Sequence, residues 1–291
     1  MIPAAFDYYA PGSLADALAL LDKLGEEAKV LAGGQSLLPM LKIRLAQVGH
    51  LVDIGRIPGL DYIKEEGGFL KIGAATKEVA LERSDLVRAK YPILLDTAQV
   101  IADPLVRNRA TVGGNLAHGD PANDHPATML ALGASVVARG PKGERTIPIE
   151  QFFQGLFTTA LAANEILTEI RIPVPPAKSG GAYVKLERKV GDFATAAVAA
   201  QVTLGAKGEI AKVGIGLTAA GPTPIKASAA EKFLAGKTPD AATLAEAGTL
   251  AAQSARPTAD RRGAVDYKRE MTRVLAVRAL RKAISRAGGK S

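Results

Sequence analysis

Two short glycine turns carry the clearest chemistry in this chain. Ala32-Gly33-Gly34-Gln35-Ser36 follows the apolar run Lys29 to Ala32 and precedes Leu37, Leu38, Met40 and Leu41, an order of strand, glycine turn and helix start. Main-chain amides can approach a phosphate only where side chains are missing, and a helix start adds unpaired donors. The turn is therefore either a pyrophosphate seat or a plain strand-to-helix connection. Thr111-Val112-Gly113-Gly114-Asn115 repeats the pattern further on, so two turns could clasp one long diphosphate. Neither contains Gly-Lys-Ser or the three-glycine dinucleotide fingerprint, which disfavours nucleoside triphosphates and a Rossmann domain. Gly214-Ile215-Gly216 with Gly221 has the wrong spacing for that fingerprint and reads as sheet packing.

A rival constellation is His118, Asp120, Asp124 and His125, whose oxygens and nitrogens could ligate a divalent metal or supply a hydrolytic base. Pro121 and Pro126 also make the segment a natural turn, with the aspartates as turn formers and helix caps. His50 stands alone before a strand and reads as a surface residue. No Ser-His-Asp arrangement or nucleophile elbow is present. The absence of Cys excludes disulfides, thiolate nucleophiles and Cys-ligated zinc or iron-sulfur clusters from this polypeptide.

These residues sit in a chain of 291 residues, which sets a prior of two domains at roughly 150 residues each. With 47% hydrophobic and 23% charged residues it can bury a large core, and with 4% aromatics that core is aliphatic. The N-terminal stretch lacks the pattern of a signal peptide, and Phe193 to Ala206, the longest apolar run, is too short and too interrupted to cross a membrane. A cytoplasmic protein is expected. The net charge of +8 is carried by Arg261 to Ser291, with ten basic and two acidic residues, so the remainder is neutral. Such a segment is either a solvated helix face or a surface that meets an acidic partner, a membrane or nucleic acid. Only Tyr267 interleaves with its charges, which gives little for bases to stack on.

The elements that must position the turns follow from periodicity and punctuation. A helix runs from Leu14 through Leu21 between Ser13 and Gly25, and a strand covers Leu51 to Ile54. Tyr62-Lys64 with Phe69-Ile72 and Val136-Arg139 with Arg145-Ile147 read as hairpins. Helices are expected near Lys77 to Leu81, from Pro92 to about Ile101 and around Ala127 to Leu132, while Ala102 to Pro126 reads as a long binding loop. The strand Ile166 to Ile172 ends in a linker, Pro173 to Gly181. Tyr183 to Lys189, Ala194 to Leu204 and Ile210 to Leu217 then form an antiparallel meander. Helices follow at about Lys226 to Leu234, Ala241 to Ala252 and Val265 to Ser285, the last with Met271, Val274, Val277, Leu280 and Ile284 on one side.

Taken together, Met1-Ile2-Pro3, Ala32 to Ser36, Ile101 to Pro104, Thr111 to Asn115, Gly119 to Asp124, Ile172 to Pro176 and Arg188 to Ala196 resemble the FAD-binding medium subunits of the molybdenum hydroxylases. The likeness covers nearly the whole chain and is strongest to the branch that oxidises carbon monoxide aerobically. It implies an α+β fold: a p-cresol methylhydroxylase-type FAD-binding domain over 1–175, in subdomains of about 1–56 and 57–175, and a C-terminal domain over 176–291 with a three-stranded antiparallel sheet and helices.

The resemblance also implies roles. Ala32, Gly33, Gly34, Gln35 and Ser36, with Thr111, Val112, Gly113, Gly114 and Asn115, would bind the FAD pyrophosphate and neighbouring atoms. Asp124 would accept hydrogen bonds from cofactor sugar hydroxyls, Ile101 and Ala102 would lie beside the flavin, and Leu167 would pack on the cofactor. Lys185 would stand near the isoalloxazine edge. Phe193 would cover the ring system where relatives often carry Tyr or Trp, and Gln35 stands where they commonly have His. FAD would be held noncovalently. The molybdenum cofactor and iron-sulfur clusters would sit on a large and a small partner subunit, in a dimer of heterotrimers.

The implied function is to pass electrons from those clusters through FAD to an acceptor such as a quinone, with neither a catalytic residue nor a metal ligand on this chain and no nucleic-acid partner. The complex would be cytoplasmic or peripheral to the inner face of the membrane. Carbon monoxide is the expected substrate of the complex, with aldehydes, xanthine and N-heterocycles as alternatives. Apart from the resemblance, a metal-dependent hydrolase and a basic nucleic-acid-binding protein stand as readings of another class.

Overall fold

A computed structural model describes residues 2–289; Met1, Lys290 and Ser291 lie outside them, and with them one end each of the opening motif and the basic tail. The first segment forms a small parallel sheet in the order β1 (Asp7–Tyr9), β3 (His50–Asp53), β2 (Ala28–Leu31), with helices α1 (Leu14–Leu24) and α2 (Leu37–Lys42). Ser13 caps α1, accepting the Asp16 amide at 3.1 Å, and Gly25 ends it at φ +62°. Leu31, Leu41 and Leu51 form the buried cluster under the first glycine turn.

The second segment contains β4 (Ile63–Glu66), β5 (Phe69–Gly73), α3 (Glu78–Arg83), α4 (Asp85–Lys90), α5 (Pro92–Gln99), α6 (Pro104–Arg107), α7 (Val112–Ala117) and α8 (Asp124–Leu132). It continues with β6 (Ser135–Gly140), β7 (Gly143–Pro148), α9 (Ile149–Phe152), a small hairpin β8 (Phe153–Gly155) and β9 (Thr158–Thr159), and β10 (Ile166–Pro173). Its sheet runs β4-β5-β10-β6-β7, so both hairpins read from the sequence flank the central β10. The expected loop from Ala102 to Pro126 instead holds two short helices and the first turn of α8, because Asp103 caps α6 ahead of Pro104 and Thr111 caps α7.

The third segment is an antiparallel sheet of β11 (Ser179–Leu186), β12 (Ala196–Leu204), β13 (Ile210–Thr218) and the two-residue β14 (Ile225–Lys226), backed by α10 (Ser228–Leu234), α11 (Ala241–Ser254) and α12 (Val265–Arg286). The expected three strands are thus extended by a fourth. The linker is shorter than its composition suggests, because Ser179 to Gly181 already pair with β12. The buried face of α12 is also rotated from the expected one. Leu280 and Ile284 are buried with Leu275, Ala276, Ala279 and Ala283, whereas Met271, Val274 and Val277 are half-buried, because alanines let the helix lie close on the sheet. The largest core joins α5, α8 and β10 to Tyr183, Ala197 and Ala199 of the third segment, so hydrophobic packing crosses from one segment to the next.

Candidate functional site

A cleft of about 830 Å³ runs from Val30, Met40 and Val48, past both glycine turns, to Lys185 and Phe193. It brings together residues from every segment: Ala32 to Ser36, Ile101 and Ala102, Thr111, Gly113 to Asn115, Asp124, Leu167, Lys185 and Phe193. Of the residues singled out from the sequence, only Val112 is missing. Its side chain is fully buried in the largest core, facing away from the cleft.

The two turns abut but differ in what they offer. Gly33 packs against the Arg109 carbonyl, and Gly34 takes φ +73°, a region that glycine enters without strain. Among the described residues, the amides of Gly33, Gly34, Gln35 and Ser36 donate no hydrogen bond within the chain, leaving a row of donors facing the cleft. The second turn has spent its amides. Val112 donates to the Thr76 carbonyl (2.9 Å), Gly113 to that of Ala74 (3.0 Å), and Gly114 to Thr111 Oγ1 (3.1 Å). A Cβ on Gly113 would lie 2.6 Å from Ala74 Cβ, so that glycine serves close packing. The expectation of two amide clasps is corrected to one. The second turn instead presents Asn115, whose buried side-chain oxygen has no hydrogen-bond partner among the described residues and is thus an acceptor at the cleft.

Asp124 opens α8 at the cleft wall. Tyr183 donates its hydroxyl to Oδ1 at 2.6 Å, and Lys185 donates to Oδ2 at 3.1 Å. Burial pushes the Asp124 carboxyl above its ordinary range, and burial also raises the Tyr183 phenol well above its own. With one donor on each oxygen, the carboxylate keeps acceptor capacity at the cleft wall, as a sugar-hydroxyl acceptor requires. The Lys185 side chain is itself only 2% exposed and is anchored by the Val100 carbonyl at 2.9 Å and Glu187 at 3.3 Å. The next residues, Ile101 and Ala102, have carbonyls held by Arg107 at 3.0 and 3.4 Å, and Arg107 in turn pairs with Glu82. Ala102 adopts φ +46°, uncommon for a residue with a Cβ, beneath Gly191. Leu167 reaches the cleft beside a β-bulge between Leu167 and Glu169.

Phe193 stands at the cleft mouth, 45% exposed, with the Arg262 guanidinium 6.0 Å from its ring centre. Asp192 beside it accepts from Arg262 (2.8 Å) and Arg188 (3.1 Å), and these bonds, Arg262's foremost, pull its carboxyl down from 3.8 to about 2. His118 also lines the cleft, its ring 5.1 Å from that of Phe157, and burial lowers its affinity for a proton. Arg107, Tyr183, Asp192 and Phe157 were missed from the sequence. The alternation Tyr183, Lys185, Glu187 along one strand was the signal available for Tyr183.

The metal constellation does not assemble. His125 is buried against Glu78 at 2.7 Å, Asp124 faces Tyr183 and Lys185, and Asp120 caps the Ala122 amide at 2.8 Å. Among the described residues no group of three or more His, Cys, Asp or Glu could hold a metal ion, and no helix is long and apolar enough to cross a membrane. The basic tail is partly spent inside the molecule: Lys282 and Arg286 pair with Asp96, Arg262 with Asp192, and Lys268 with Asp260. Arg261, Arg269, Arg278 and Arg281 are exposed, and none meets an acidic side chain among the described residues.

The profile described as the FAD binding domain in molybdopterin dehydrogenase matches residues 4–175, and that of the CO dehydrogenase flavoprotein C-terminal domain matches 181–283. The chain is 47% identical over 287 residues to the carbon monoxide dehydrogenase medium chain of Afipia carboxidovorans, covering 99% of each. It superposes with a TM-score of 0.96 at 48% identity on a chain of carbon monoxide dehydrogenase from Hydrogenophaga pseudoflava, covering 98% of this chain and 99% of that one. Quinoline 2-oxidoreductase from Pseudomonas putida gives a TM-score of 0.92 at 32% identity, covering 99% of each. With both profiles matched, full-length identity of this degree and a cleft built from the residues of both glycine turns, the chain belongs to the FAD-binding medium chains of the molybdopterin dehydrogenases, a family of oxidoreductase subunits.

Proposed function

We propose that the cleft holds FAD noncovalently and that this chain relays electrons in aerobic carbon monoxide oxidation. The observation that carries the proposal is the row of uncommitted amides from Gly33 to Ser36 lining a cleft of about 830 Å³ that also takes in Asp124, Lys185 and Phe193. Those amides would hold the pyrophosphate, with Ala32 and Thr111 lining its seat. The Asn115 oxygen and Asp124 carboxylate would accept hydroxyl donors. Ile101 and Ala102, fixed by Arg107, would bound the flavin, Leu167 would pack on it, Lys185 would face its edge and Phe193 would cover it from solvent. FAD, when bound, supplies a carrier that accepts electrons singly and releases them in pairs.

The proposed division is a cofactor domain over 1–175, with subdomains of about 1–56 and 57–175, followed by a C-terminal domain over 176–291. With no Cys in the chain, iron-sulfur clusters would belong to a small partner subunit, and the molybdenum cofactor and the substrate to a large one. A dimer of heterotrimers, a quinone acceptor and peripheral attachment at the inner membrane face complete this reading. Carbon monoxide is favoured as substrate by identity of 47% to a carbon monoxide dehydrogenase medium chain, against 32% to a chain of the quinoline enzyme. An aldehyde, xanthine or N-heterocycle dehydrogenase is the second reading.

The purified chain should be yellow, and acid or heat should release all of its flavin into the supernatant. Flavin retained on the denatured polypeptide would contradict noncovalent binding. A colourless chain that cannot be loaded with FAD would overturn the proposal.

A further inference from the structure

The strand that carries Tyr183 and Lys185 to the cleft passes between two helices with no room to spare. A Cβ on Gly181 would lie 3.0 Å from Ile93 Cβ of α5, and one on Gly180 would lie 2.5 Å from the Ala287 amide at the end of α12. One carboxylate ties β11 to both helices. Asp96 Oδ2 accepts the Tyr183 amide at 3.2 Å and Arg286 Nη1 at 2.6 Å, while Oδ1 accepts Arg286 Nη2 at 3.0 Å and Lys282 Nζ at 3.1 Å. Arg286 also donates to the Gly181 carbonyl at 2.7 Å, so its planar fork grips α5 and β11 at once.

Asp96 lies in the second turn of α5, and Val100, four residues on, is the cap that ends the helix. The first holds the Tyr183 backbone, and the carbonyl of the second accepts Lys185 Nζ. Ile101 and Ala102 follow directly. The same two-point attachment therefore places both the Ile101-Ala102 wall and the side chains that hold Asp124. A strand advances about 3.3 Å per residue, so even a partial slip of β11 would pull Tyr183 and Lys185 off the Asp124 carboxylate.

We propose that Asp96, clamped by Arg286 and Lys282 of the basic C-terminal helix, is a positioning residue for the FAD site, setting β11 against α5 so that Tyr183, Lys185 and Asp124 meet at the cleft. The inference rests on the reading that FAD occupies that cleft. It gives part of the tail's positive charge an internal task in place of a partner.

The test compares full-length wild type with Asp96→Asn, Arg286→Lys and Arg278→Gln, the last an exposed residue of the same helix outside the clamp. Each is stripped of flavin and titrated with FAD at 25 °C, and the visible circular dichroism of bound flavin and the thermal midpoint of each apoprotein are recorded. Asp96→Asn should raise the FAD Kd at least tenfold and alter the flavin dichroism. Arg286→Lys, which keeps the charge and loses the fork, should shift both in the same direction by a smaller amount, and Arg278→Gln should change neither. If Asp96→Asn does not fold, Arg286→Lys decides alone. A lowered thermal midpoint with unchanged FAD affinity and dichroism in the folded variants would overturn the inference, as the clamp would then be merely structural. Failure of the wild type to bind FAD would instead overturn the reading beneath it.

Discussion

Gly33 lies directly against the main chain of Arg109: a Cβ placed there would overlap that residue's carbonyl oxygen and stand 2.8 Å from the Ala110 Cα. The first turn is thereby seated on the segment leading into the second, and its free amides share the cleft with Thr111 and Asn115. Gly33→Ala should destabilise the chain by about 1–3 kcal/mol through overpacking and weaken FAD binding together with stability. Thermal melts of the apoprotein and an FAD titration check this. A variant with both properties unchanged would show that the two turns are not in close register.

Asn115 holds a buried acceptor with no partner, a group that costs free energy until a ligand satisfies it. Asn115→Leu, which keeps the branched heavy-atom skeleton, should leave the apoprotein at least as stable as wild type while raising the FAD Kd by about tenfold or more, as expected for a lost hydrogen bond of roughly 1–3 kcal/mol. Loss of stability with unchanged FAD affinity would remove Asn115 from the site.

The turns and their Thr111 cap could be read locally because glycine pairs, a capping hydroxyl and the following apolar run are contiguous. The company of Asp124 could not. Its partners Tyr183 and Lys185 arrive from 59 and 61 residues away on a strand of another segment, which only tertiary pairing determines. The helices α6 and α7 are four and six residues long, too short for a hydrophobic period to emerge, although Asp103-Pro104 and Thr111 marked their starts. The resemblance assigns Val112 to the site with the rest of the Thr111-to-Asn115 turn, while its side chain belongs to the core below.

Asp192 couples the rim of the cleft to pH. Its carboxyl is held at about 2 against an ordinary 3.8, so its contribution to stability is complete above about pH 4 and disappears as pH falls toward 2. Urea midpoints of wild type and Asp192→Asn should therefore differ near neutrality and converge between pH 4 and pH 2. A gap that stays constant through this range would mean that Arg262 and Arg188 do not stabilise the ionised form.

With Lys282 engaged by Asp96, Arg278 and Arg281 join Arg269 as exposed cations of α12 that meet no acidic side chain among the described residues, and they are the two in its C-terminal half. Charge reversal at these two alone should weaken association with the large and small subunits and flatten or invert its salt dependence, leaving flavin content unchanged. Unaltered assembly at physiological salt, measured by size-exclusion chromatography of the co-expressed complex, would make this face a solvated one.

The most direct measurement mixes the FAD-loaded chain anaerobically with carbon monoxide while flavin absorbance is followed, first alone and then with the two partner subunits. A relay with no substrate site of its own predicts bleaching only in the complete assembly, whereas dithionite should bleach both samples. Rapid bleaching of the isolated chain by carbon monoxide would contradict the relay and place substrate oxidation on this polypeptide.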